Sequence, residues 1–155
     1  PAPPHMFEYS ASADMATAVV SGSPVMSVNP RFSGFSSPTW EWDATQEAFL
    51  RFQTNGAADS ASSGNQLSAI NVVVLSVAID VVEDIPTTRL VNQGSGWVFA
   101  GGFYLEVNWV KATAESPIAL TTKSGEPVLL AQGNTWVELV PDDSSDVGAA
   151  VVTVK

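Results

Sequence analysis

The pair Gly101-Gly102, set between two runs of strand-forming residues, constrains this chain more than any other local feature. Glycine tolerates the positive φ required at both central positions of a tight two-residue hairpin. Residues 96–100 and 103–110 are therefore expected to pair antiparallel. In the downstream run FYLEVNWVK, Phe103, Leu105, Val107 and Trp109 alternate with the more polar Tyr104, Glu106 and Asn108. That period of two predicts a half-buried strand with one side on the core. Two Gly-punctuated segments, GSGWVF at 94–99 and GNTWVELVP at 133–141, bracket the run and extend the β character through the last third.

Upstream, the run INVVVLSVAIDVV at 70–82 is the most apolar stretch, and its near-continuous Val, Leu and Ile content predicts a central strand covered on both faces. Residues 39–43 and 48–52 flank DATQE, which reads either as a five-residue hairpin connection or, with its Ala, Gln and Glu, as a helical turn; both keep Trp40 and Trp42 on one face. Residues 54–68 are almost all small or polar and predict a mobile surface loop. After Pro141 and an Asp-rich turn, residues 147–155 are expected to add a terminal edge strand. Strand-like runs recur every ten residues or so between Gly, Pro, Asn and Ser clusters, with little helical periodicity. The fold class expected is mainly β: an antiparallel sandwich or partly closed barrel built from hairpins.

A length of 155 residues and a hydrophobic content of 45% suit one core, so residues 7–155 are expected to form a single domain behind a Pro-rich linker remnant at 1–6. The 16 acidic and 6 basic residues leave a formal charge of −10 and no basic cluster, which disfavours nucleic acid and anionic membrane as partners. With no cysteine, thiolate nucleophiles, disulfides and Cys-ligated metals are excluded. No apolar run approaches the roughly 18–20 residues of a spanning helix, and no direct membrane insertion is expected.

Several of these segments together carry a family likeness: Trp40 through Arg51, matching W-x-x-D followed by Y/F-x-R; Asn71-Val72-Val73-Val74; the GSGWVF hairpin; Trp109-Val110-Lys111; the Gly125 turn; and the stretch 135–141. On them the chain resembles the C-terminal half of the YerB-like bacterial lipoproteins, a domain of unknown function, over about residues 7–141. The resemblance implies an extracytoplasmic parent protein, lipid-anchored at the cell surface, with an N-terminal α/β domain; it supplies no activity. Two departures stand out. Ala57 and Ala58 occupy the place just before Asp59 where the family commonly carries a His, and Trp97 is larger than the small or acidic residue expected in its hairpin, which makes it a candidate contact surface.

No residue set satisfies the demands of a reactive centre. His5, the single histidine, lies in the Pro-rich entry where no neighbour fixes its geometry. Glu41 and Asp43, two apart on one strand face, are the candidate acid and base of a glycosidase-like hydrolase, against the simpler view of a solvated polar face. Asp142, Asp143 and Asp146, or Asp80, Glu83 and Asp84, could offer oxygen ligands to calcium, yet neither set has the spacing of a dedicated loop. GSG at 94–96 lacks the Lys and helix of a phosphate loop and reads as strand bending. Trp97, Trp40, Trp42 and Tyr104 are candidates for an aromatic binding surface, with core packing as the alternative for each Trp.

The function expected is a non-catalytic binding or scaffolding module of an exported surface protein, with no cofactor, facing an envelope protein, a glycan or its own N-terminal domain. A cell-envelope hydrolase using acidic residues and a purely structural domain packed on the N-terminal neighbour are the alternatives.

Overall fold

The structure, a computed structural model, describes residues 5–155; the stretch Pro1-Ala2-Pro3-Pro4, assigned above to a linker, lies outside the described residues. A 3-10 turn (Ala13–Met15) and one short helix, α1 (Thr17–Ser21), precede the strands. These are β1 (Ser23–Pro24), β2 (Ser27–Arg31), β3 (Thr39–Asp43), β4 (Ala48–Phe52), β5 (Ser68–Ala69) and β6 (Asn71–Val82), followed by β7 (Ile85–Arg89), β8 (Gln93–Ala100), β9 (Phe103–Val110), β10 (Ala119–Thr122), β11 (Thr135–Pro141) and β12 (Val151–Val154). They form two sheets. A seven-stranded sheet runs β1-β9-β8-β6-β11, with β10 on β9 and β7 on β6, and a five-stranded sheet runs β12-β2-β3-β4-β5. The result is mainly β and sandwich-like, and it is not closed into a barrel.

β6 organises both layers. Its residues Asn71 through Leu75 are all buried, because alternate side chains enter two different cores. Val73, Leu75 and Val77 join Val98, Val107 and Trp109 on one face, under Phe7, Ala16, Ala18 and Leu130. Val72 and Val74 join Phe99 and Val140 on the other, against Val28, Trp40, Phe49 and Ala69 of the five-stranded sheet. A strand with two covered faces needs no polar alternation, which is why its sequence is a continuous apolar run.

The hairpin at Gly101-Gly102 forms as expected, with Ala100 opposite Phe103 and φ values of 59° and 77° at the two glycines. β3 and β4 pair from Thr39↔Phe52 to Asp43↔Ala48, and β12 lies at the edge of its sheet, antiparallel to β2. Among the named strands, one pairing departs from the antiparallel expectation: β11 runs parallel to β6, from Thr135↔Asn71 to Pro141↔Val77. Residues 54–67 are largely exposed, as expected of a surface loop, but they are tied to the sheet. Bridges join Phe52 to Ala58 and Ser60 to Gln66, and Asp59 N–H donates to Arg51 O at 2.9 Å. Main-chain hydrogen bonds need no apolar side chain, so the composition of the segment does not announce them.

Gly102 combines a positive φ with close approach, since a Cβ there would lie 2.8 Å from Trp42 Nε1. Gly125 has φ 92° but no atom within 4 Å of the same position. In thermal unfolding, Gly102→Ala is expected to lower stability by roughly 1–3 kcal/mol or more, and Gly125→Ala by less, because only the first adds a clash to the backbone strain.

Candidate functional site

Five residues distant in sequence meet at one end of the space between the sheets. Trp40 and Arg51 are cross-strand partners on β3 and β4, both turned inward, and Trp136 and Glu138 project from β11 towards them. Trp40 Nε1–H donates to Glu138 Oε1 at 3.0 Å, in a buried hydrogen bond. The Arg51 guanidinium carbon lies 5.8 Å from the Trp40 ring centre and 5.1 Å from that of Trp136. Its Nη1 donates to Asp59 Oδ2, and Nε stands 3.7 Å from Glu138 Oε1 without a hydrogen bond of its own. Gln66 Nε2–H donates to the Arg51 carbonyl at 2.9 Å. One cation thus holds two carboxylates and two indoles; desolvated charge is tolerated here because every charged group has an opposite partner.

The other chemical groups named from the sequence are dispersed. Glu41 is exposed on β3, whereas Asp43 Oδ1 accepts the N–H groups of Thr45 (2.8 Å) and Gln46 (2.9 Å) and so shapes the β3–β4 turn. Asp142 Oδ1 accepts from Ser144 N–H and from the Ser144 and Ser145 hydroxyls, and Asp146 Oδ2 accepts Val81 N–H at 2.8 Å. Asp143 is exposed. Asp80 pairs with Arg89 at 2.6 Å, and Glu83 and Asp84 make the two-residue turn into β7. Among the described residues, no three His, Asp or Glu are gathered to hold a metal ion.

The aromatic candidates require a correction. Trp40 is fully buried and contributes no binding surface, because the sheet face carrying it is covered by the second sheet. Trp42, Trp97 and Tyr104 are half-buried against the same core; Trp42 lies 5.1 Å from Phe49 and Tyr104 is stacked 6.0 Å from Phe99. The polar-looking face of β9 is therefore covered at Tyr104, and Trp97 packs inward.

A groove of about 1070 Å³ lies between the entry segment and the β10 region. Met6, Phe7, Tyr9, Ile118, Leu120 and Leu129 contribute to its walls. His5 sits at this groove, exposed, its ring edge-on to Tyr9 at 6.4 Å. The entry segment is hydrogen-bonded into place: Leu130 N–H donates to Glu8 O at 2.9 Å, and Ser10 N–H to Leu130 O at 2.8 Å.

A family model, described as the C-terminal domain of a protein of unknown function (DUF3048), matches residues 28–137. The chain belongs to this family. Its fold is also that of the crystal structure of the YerB protein from Bacillus subtilis, with TM-score 0.70 and 16% identity over 95% of this chain. The chain spans 46% of that structure's length. No curated protein sequence matches it.

In this DUF3048 C-terminal domain, the residues that carry the family likeness hold the architecture together. Arg51 binds Asp59 and sits beside Glu138, as described. The buried Asn71 side chain donates to Ala131 O at 2.8 Å and accepts Ala131 N–H at 3.0 Å. Trp109 Nε1–H donates to Ser76 O at 3.0 Å, and the buried Lys111 ammonium donates to the carbonyls of Ala114 and Ser116. The sequence reading missed the link between Arg51 and Glu138. Its signal was a charged residue at an inward position of each strand, AFLRF and TWVEL.

Removing Glu138 tests the cluster. Glu138→Leu is expected to cost roughly 3 kcal/mol in urea unfolding, since it leaves Trp40 Nε1–H without an acceptor and Arg51 with one carboxylate. Glu138→Gln can retain an acceptor for the indole and is expected to lose less.

Proposed function

We propose that this domain is a non-catalytic binding module of an exported, lipid-anchored bacterial surface protein, and that it holds a protein of the cell envelope in the groove beside its entry segment. The observation that carries the proposal is the division of labour among side chains. The charged groups of the buried cluster pair with one another, while the groove is walled mainly by apolar residues, with His5 and Glu8 among its few polar ones. Apolar walls with a few polar groups suit recognition more than bond cleavage. The net charge of −10 disfavours polyanions as ligands and is compatible with a soluble, exported domain. Glu41 and Asp43, the candidates for hydrolysis, do not line the groove.

Ala119 is exposed and lines the groove, so Ala119→Arg should obstruct it without disturbing the core. Against an envelope extract of the source bacterium, immobilised wild-type protein is expected to retain a discrete component that Ala119→Arg loses, with unchanged thermal unfolding. Identical retention by both proteins would overturn the groove as the binding site.

A further inference from the structure

The seven-stranded sheet ends at β11, and the outer side of that strand has no neighbouring strand among the described residues. In a parallel pair, alternate residues aim both N–H and C=O at the neighbour while the residues between them aim both groups away. Asn134 O accepts Asn71 N–H at 3.1 Å, and Asp142 N–H donates to Val77 O at 2.9 Å. These two bonds set the even-numbered residues of β11 towards β6, so Thr135, Val137 and Leu139 turn their main-chain groups to the outer edge. Farther along, the same edge of the sheet is covered by the chain itself. Ala150 N–H donates to Pro141 O at 2.8 Å, Asp146 N–H to Ile79 O at 2.9 Å, and Val81 N–H to Asp146 Oδ2 at 2.8 Å.

The uncovered stretch has few of the devices by which edge strands avoid pairing, and its one charge, Glu138, is taken up by Trp40 and Arg51. It has no Lys and no proline before the terminal Pro141, and it belongs to a strand of seven residues with Trp136, Val137 and Leu139 half-buried along it. We infer that the β11 edge accepts an extended segment of a partner protein by strand addition, with main-chain hydrogen bonds at Thr135, Val137 and Leu139. The alternating donors and acceptors specify a β-strand as occupant. Charge specifies the source: a second copy would also carry −10, whereas a segment flanked by Lys and Arg complements this chain. The proposal needs only the open edge and stands whether or not the groove is occupied.

Proline at 137 removes one outward N–H and leaves the bonds to β6, so Val137→Pro is the variant and Val137→Ala its control. The probe is a phage-displayed library of random linear peptides selected on the wild-type protein, followed by titration of the synthetic peptides recovered. Peptides with alternating apolar residues and basic flanks are expected, losing affinity about tenfold on Val137→Pro and little on Val137→Ala, as removal of one hydrogen bond requires. Amide exchange on the wild-type protein supplies a readout independent of the variants. Val137 and Leu139 should exchange fast in the free protein, slower than that with peptide bound, while Trp136, Glu138 and Val140 stay protected throughout. The proposal is overturned if Val137 and Leu139 are already protected in the free monomer, if self-association protects them, or if the peptides protect only groove residues such as Leu129. Loss of groove binding on Ala119→Arg with intact peptide binding at β11 would separate the two surfaces.

Discussion

Burial of β6 on both faces is the constraint from which the other layers follow. Asn71 through Leu75 leave no side open to water, so each face of the strand requires its own apolar cover. The five-stranded sheet supplies one, with Val28, Trp40, Phe49 and Ala69. The entry segment, α1 and the 128–131 stretch supply the other, with Phe7, Ala16, Ala18, Val128 and Leu130. Each fully buried Val or Leu side chain contributes on the order of 1.5–3 kcal/mol, so exposing either face would remove several such contributions at once. This also explains why the short helix and the irregular N-terminal segment are bound firmly to a β domain: they complete a face that has no second sheet.

Polar residues in the interior work as fasteners between segments distant in sequence. Asn71 fixes the 131 region to the start of β6 with two hydrogen bonds, and Trp109 ties β9 to Ser76. Lys111 closes the loop that follows β9 through two carbonyls. Arg51 binds the 54–67 excursion to β4 through Asp59 and lies against both indoles between the sheets. A buried group left without its partner is costly, so each of these contacts favours one arrangement of strands over near alternatives. The segments that carry the family likeness include these fasteners.

The interactions proposed for this domain rest on shape and on main chain. The groove offers apolar walls beside the entry segment, and β11 offers main-chain groups at the limit of the sheet. Neither depends on a reactive side chain. Both lie at places where the fold stops covering its own core, which is where a partner gains most by burial or by extending a ladder of hydrogen bonds.

Local pattern in the sequence was enough for the Gly101-Gly102 hairpin, the centrality of β6 and the edge position of β12, because each is written in neighbouring residues as turn chemistry, alternation or a continuous apolar run; between a hairpin and a helical turn at 43–47 only the pairing of β3 with β4 decided. Local pattern was also enough for the absence of thiol chemistry and for the family likeness. The parallel union of β11 with β6 was not legible, since strand direction depends on a partner more than sixty residues away in sequence and leaves no local mark. Alternation identified Trp40, Trp42, Trp97 and Tyr104 as members of strand faces but could not say which faces would be covered; packing of the two sheets decided that. The pairing of Arg51 with Asp59 and its placement beside Glu138 were likewise decided only when β4 and β11 were brought together. Short-range backbone preferences are properties of the chain, whereas the burial of a face and the partner of a charge are properties of the assembled sandwich.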